Sequence, residues 1–253
     1  MKQLFILVCL IAPLWIGAQA VEAEVRYDQL IKINIELPEG QEHLAKMLPS
    51  SQTISKVLFI KGSESLYRDL NEEEENETTI ESQEQTEDGE VRMKMIIARP
   101  ENKLYKNLET NQLVDSRDLM GRKFLIEDEL AKYEWKMTGE QEEILGYTCQ
   151  KATCEKDGDT IEAWFTTQIA ASNGPGNYGQ LPGLILKVVS DNGDRTIEAT
   201  KVQLEAIDAE EIFIPNKGKK VTQAEFDEIE AKKRKEMEEE NGGSGIQIKI
   251  RNN

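Results

Sequence analysis

Only one histidine, His43, occurs in 253 residues, alongside three cysteines and seven prolines. A zinc site built from several imidazoles is therefore excluded. A Ser–His or Cys–His nucleophile would have to take its base from His43, and no local pattern prepares that pairing. No G-x-S-x-G elbow occurs either. Positive charge is also scarce, with 31 Lys and Arg against 48 Asp and Glu and a net charge of −17. Such a surface repels polyphosphate backbones and anionic bilayers, which excludes nucleic acid as a partner. No residue set calls for a metal or a cofactor.

The single long apolar run lies at the start. Met1-Lys2 supplies a positive end, LFILVCLIAPLWIG (Leu4 to Gly17) the apolar stretch, and Ala18-Gln19-Ala20 a small-x-small cleavage site. Residues 1–20 read as a secretory signal peptide. Nothing after it is apolar enough to span a membrane, so the mature chain is expected to be exported and not transmembrane. Residues 21–253 read as a single β-rich domain.

Two cysteines remain after the signal, Cys149 and Cys154. Export makes a disulfide between them the default expectation. Geometry opposes it, because five residues of one extended strand separate the sulfurs by about 16 Å and turn them to opposite faces. A bulge between them would be needed.

Period-2 alternation is the dominant signal. Ile31, Ile33, Ile35 and Leu37 alternate with polar residues, and Ser55 to Tyr67, Val91 to Ala98 and Lys103 to Leu108 read as further strands. Asp157-Gly158 and Asn192-Gly193 mark hairpins between the later ones. A strand is also expected around Glu211 to Ile214. Residues 71–90 (NEEEENETTIESQEQTEDGE) read as an acidic flexible loop. Thr222-Gln-Ala-Glu225 is a capping box that opens an acidic helix over residues 222–240. Ile246, Ile248 and Ile250 form a last amphipathic strand, suited to close a sheet edge or pair with a partner chain. The sum is a mainly β fold: one curved antiparallel sheet, a meander of about ten strands, with one helix on the C-terminal side.

GPGNYGQLPGLILKV (Gly174 to Val188) matches the G-x-G-x-x-G spacing of dinucleotide loops. The match lacks the helix that must follow to hold a pyrophosphate, and a β-like run follows instead. Pro182-Gly183 reads as the corner of a type II turn.

The same stretch carries a resemblance. Gly179, Leu181, Pro182, Gly183, Leu184 and Ile185 resemble the signature of the GLPGLI family, with Gln180 standing where the strict motif has glycine. Trp135-Lys-Met-Thr-Gly139, Ile144 to Ala152 and Glu162 to Thr166 are similar to the family's upstream run. The resemblance implies an exported envelope protein of uncharacterised role and no enzymatic activity, in the periplasm or at the outer membrane of a Gram-negative cell. It also implies an open half-barrel like that of periplasmic lipoprotein carriers. On that analogy the protein would bind or carry a lipid or other apolar ligand, with Trp135, Trp164, Phe165, Tyr178 and Leu181 lining a cavity or filling a core. The alternative is an interaction module for an envelope protein or outer-membrane transporter.

Overall fold

The computed structural model describes residues 20–36, 49–70, 77–86, 89–98, 102–156, 158–240 and 247–249. The leader lies outside them. Sixteen strands and one α-helix run in the order β1 (Glu22–Lys32), β2 (Asn34–Glu36), β3 (Ser51–Lys61), β4 (Glu64–Asp69), β5 (Glu77–Thr86), β6 (Gly89–Ala98), β7 (Lys103–Asn107), β8 (Gln112–Leu119), β9 (Arg122–Glu129), β10 (Lys136–Ile144), β11 (Tyr147–Lys156), β12 (Asp159–Thr166), β13 (Leu184–Ser190), β14 (Arg195–Gln203), β15 (Lys219–Val221), α1 (Gln223–Glu240) and β16 (Gln247–Lys249).

Twelve strands form one open sheet in the order β10-β11-β12-β13-β14-β1-β3-β4-β7-β8-β9-β15. The expected mainly β, half-barrel architecture with a helix near the C-terminus is what the chain adopts. All pairings in this sheet are antiparallel except that of β15 on β9. The order is not one meander. Two meanders, β3 to β9 and β10 to β14, meet on the two sides of β1.

Curvature follows from chain length. Strands β9 and β10 stand near opposite edges of the sheet, yet only residues 130–135 join them. Laid flat, the ten intervening steps would separate them by about 48 Å. The linker can span at most about 25 Å. The sheet must curl until its edges approach.

Several sequence expectations change. Residues 55–67 are not one strand: the chain turns at Gly62, with φ at +60°, and returns as β4. The stretch read as an acidic loop contains β5, which pairs with β6 as a separate two-stranded ribbon. Strand β16 pairs antiparallel with β2 rather than closing the main sheet. Residues 211–214 carry no strand. The central strand β1 begins at Glu22, and its first nine residues went unread. Ala23, Val25 and Tyr27 are fully buried on one face.

That face belongs to the main core. Val25 stands opposite Leu58, Leu58 opposite Tyr67 and Tyr67 opposite Leu104. Phe165, Leu184 and Leu186 pack into the same cluster. The segment between β12 and β13 (residues 167–183) lies over it and contributes Ile169, Ala171 and Leu181. The opposite face of the sheet is covered in part by Ile207 and Ile212, which pack on Val57 and Phe59.

Candidate functional site

On the concave face the strands do not stay apolar along their length. In β1 the inward positions run Ala23, Val25, Tyr27, Gln29, Ile31, and Gln29 is buried. In β3 they run Ile60, Leu58, Lys56, Ile54, Gln52, paired in register with β1. Tyr67 leads to Asp69, Leu113 to Asp115 and Arg117, Ile161 to Asp159, and Ile197 to Arg195, each at period 2. Cross-strand pairing aligns Lys56 with Tyr27 and Asp69, and Arg195 with Ile31 and Ser190. One end of the concave face is thus a packed core, and the other a cavity of about 290 Å³ in which polar groups stand among apolar ones.

The cations around the cavity are matched locally. The Lys56 ammonium pairs with the Asp69 carboxylate. Arg117 Nε donates to Asp115 Oδ2 at 2.6 Å, and its guanidinium lies over the Phe226 ring of α1 at 5.2 Å. Burial raises the Asp115 carboxyl above its ordinary pKa, with Arg117 and Lys56 pulling it back down. Asp159 accepts from the backbone N–H groups of Asp191 and Asn192 at 2.7 and 3.1 Å. Burial pushes the Tyr67 hydroxyl well up and raises that of Tyr178.

The 167–183 segment forms one wall. Gly176, Asn177 and Tyr178 face the cavity. Buried Lys106 on β7 holds this wall by donating from Nζ to the carbonyl oxygens of Gly174, Gly176 and Tyr178 at 2.9, 2.8 and 3.1 Å. Asn173 Nδ2 adds a buried bond to Ser65 Oγ at 2.9 Å. Burial draws the Lys106 ammonium down to about 7, while the three carbonyl acceptors favour its charged form.

At the far side of this wall, Gln180 has φ at +67°. Its Nε2 donates to Ala131 O at 2.6 Å, and its Oε1 accepts from Tyr133 N at 3.2 Å. Trp135 Nε1 donates to Gly179 O at 2.9 Å. The 130–135 linker is thereby fastened to the strap, and Tyr133, stacked on Trp135 and tilted against Tyr178, reaches the cavity.

The residues singled out from sequence separate. Tyr178 lines the cavity, and Trp135 packs beside it as an anchor. Phe165 and Leu181 are buried core. Trp164 lies outside the cavity, with Lys151 and Lys187 over its ring at 5.0 and 5.2 Å. Cys149 and Cys154 are free, buried thiols, both on the core side of β11. Pairing with β12 is regular between them, but pairing with β10 shifts register between Ala152 and Gln150, and the burial alternation changes phase at Lys151 and Ala152. Pro182-Gly183 is not a type II corner: Gly183 N donates to Leu181 O at 2.8 Å, and Gly183 φ is +159°. Its lack of a side chain matters sterically, since a Cβ there would lie 2.1 Å from Thr166 O. Leu184 and Ile185 enter the core directly after it.

The polar residues of the cavity were missed by sequence reasoning. Their signal was present as polar residues at inward positions of alternating strands, such as Gln29 between Tyr27 and Ile31.

Fold and site define an open, curved antiparallel-sheet domain with a cavity of mixed polar and apolar lining at one end of its concave face. The chain belongs to the family described as N-glycanase peptide, N-terminal domain, which matches residues 70–229. Among solved structures, "Structure of PNGF-II in C2 space group" shares 21% identity at a TM-score of 0.54, over 85% of this chain and 34% of that one. "Structure of PNGF-II in P21 space group" shares 22% identity at a TM-score of 0.52, over 83% and 33%. These likenesses establish a shared fold, and the chain spans about a third of the length of those structures. No curated protein matches the chain.

This family match overturns the GLPGLI assignment and the non-enzymatic role it implied. The non-enzymatic lipid carrier of uncharacterised role, and the alternative of an accessory module for an envelope transporter, give way to a family named for an N-glycanase. The cavity lining mixes charged and amide side chains with apolar ones such as Ile54 and Ile161. The chain is of an exported kind, and no helix among the described residues is long and apolar enough to cross a membrane.

Proposed function

We propose that the chain takes part in N-glycan release on the exported side of the cell, in the periplasm or at the outer membrane. It does so by holding the carbohydrate of an N-linked glycopeptide in its concave cavity. The family supplies the reaction class. The observation that carries the location is a set of buried, uncharged polar atoms on cavity residues: Gln52 Nε2, Tyr67 Oη, Asn102 Oδ1 and Asn177 Oδ1 have no hydrogen-bond partner among the described residues.

A buried donor or acceptor left unmatched costs about 1–3 kcal/mol. Sugar hydroxyls answer both kinds, because each donates and accepts. Tyr133, Tyr178 and Phe226 add aromatic surface for the apolar C–H face of a pyranose. A volume near 290 Å³ is at the lower end of ligand pockets.

The test is calorimetric titration of the chain with an N-linked glycopeptide and with its deglycosylated counterpart. Asn-to-Asp conversion of the glycopeptide is followed in parallel by mass spectrometry. Saturable binding that requires the glycan is the expected result. Equal binding of both peptides, or of neither, removes the reading.

A further inference from the structure

Resting on the proposed binding of an N-linked glycan in the concave cavity, we infer that this cavity selects neutral sugars. Oligosaccharides ending in neutral hexoses are taken, and those ending in sialic acid or sulfate are refused.

The cations lining the cavity are already engaged. Lys56 pairs with Asp69, and Arg117 with Asp115. Lys156 stands 4.9 Å over the Tyr133 ring, and Arg195 has interactions of its own. Six carboxylates line the cavity against these four cations, with Asp118 and Glu230 at the helix side among them. An incoming carboxylate or sulfate would shed its water and meet an excess of like charge. The chain's net charge of −17 repels the same ligands at longer range.

The unengaged groups have the opposite character. The atoms without partners on Gln52, Tyr67, Asn102 and Asn177 are amide or hydroxyl groups. They gain from a ligand that supplies hydroxyls and no charge, so what the cavity lacks and what it has in excess point to the same ligand class.

The experiment titrates the chain with one N-linked glycopeptide in two forms, mannose-terminated and sialylated. The neutral form is expected to bind at least about tenfold more tightly, with the ratio shrinking as salt screens the repulsion. Glu230→Gln removes one carboxylate and is expected to narrow the ratio by about two- to threefold. Tyr67→Phe deletes a hydroxyl that has no partner among the described residues, and is expected to weaken the neutral form about fivefold. Equal affinity for the two forms, or tighter binding of the sialylated one, overturns this inference and leaves glycan binding standing. Absence of binding by either form overturns the glycan reading and this inference together.

Discussion

Lys106 Nζ donates to the carbonyl oxygen of Gly174 at 2.9 Å, a contact that joins β7 to a strap 68 residues further along the chain. With Gly176 and Tyr178 as further acceptors, one side chain fixes the wall that presents Asn177 and Tyr178 to the cavity. Lys106→Met keeps the length of the stem and deletes the donor. Three carbonyls are then left facing a thioether, at an expected cost of about 3 kcal/mol. Urea denaturation measures the loss, and glycopeptide affinity is expected to fall with it.

Gln180 holds a left-handed backbone conformation, φ +67°, that costs a non-glycine residue about 1 kcal/mol. Its side-chain bonds to Ala131 and Tyr133 offset that strain. Two substitutions separate the effects. Gln180→Ala keeps the strain and loses the bonds, so it is expected to destabilise by about 2 kcal/mol. Gln180→Gly loses the bonds but relieves the strain, and is expected to be the milder by about 1 kcal/mol. Thermal melts of the two variants read the difference.

Gly183 passes so close to Thr166 that the smallest side chain meets the carbonyl oxygen at 2.1 Å. Gly183→Ala is therefore expected to cost about 3 kcal/mol, since the backbone of β12 must move to admit it. A melting temperature equal to that of the parent protein would contradict the close approach.

Alkali is expected to unfold the chain earlier than tyrosine content alone would suggest. Burial raises the Tyr27 hydroxyl well above its ordinary 10.0, with neighbouring Tyr67 adding to the shift, and Tyr27 Oη donates to Ile185 O at 2.8 Å. Below pH 10 both the folded and the unfolded chain keep this proton, and its contribution is complete. Above pH 10 the unfolded chain releases it and the folded chain does not, so stability falls by about 1.4 kcal/mol per pH unit for each such group. Tyr27→Phe is expected to flatten that fall, at a cost of about 1 kcal/mol near neutrality from the lost hydrogen bond. Urea midpoints across the alkaline range measure both.

The buried thiols make a chemical test. Burial pushes the Cys149 thiol up to about 11, and Glu142 adds to the rise. A thiol reagent at neutral pH is expected to leave Cys149 and Cys154 unlabelled in the folded protein and to label both after denaturation. Peptide mapping by mass spectrometry reads the outcome.

The sheet was legible in the sequence wherever one face alternates with the other. The later hairpins, with Asp-Gly and Asn-Gly turns, gave strands close to those observed, and the capping box placed the helix start within one residue: Glu225 accepts from Thr222 N at 2.8 Å. Strand β1 was passed over because Glu22, Glu24 and Arg26 hide the alternation of Ala23, Val25 and Tyr27. In β3 the residues from Lys56 to Ile60 are buried on both faces, which erases the period-2 signal there and obscured the turn at Gly62. The site was less legible for a related reason. Its groups come from many strands, and each lone polar residue at an inward position looks like an interruption until register sets it beside the others. The resemblance in the LPGLI stretch marked a structural corner, and corners carry no information about a cavity formed by other strands.

The central position of β1 has a consequence for how the protein assembles. Its residues Glu22 to Lys32 pair with β3 on one side, close in sequence, and with β14 on the other, where Glu24 meets Gln203. Strand β1 must wait for β14, about 170 residues further along the chain, before both its edges are filled. Meanwhile each meander can form from local hairpins, so the slow event is their union along β1, a contact of high sequence separation. Until it occurs, two open sheet edges are exposed to other chains. Pairing of those open edges with other chains then competes with the union of the two meanders along β1.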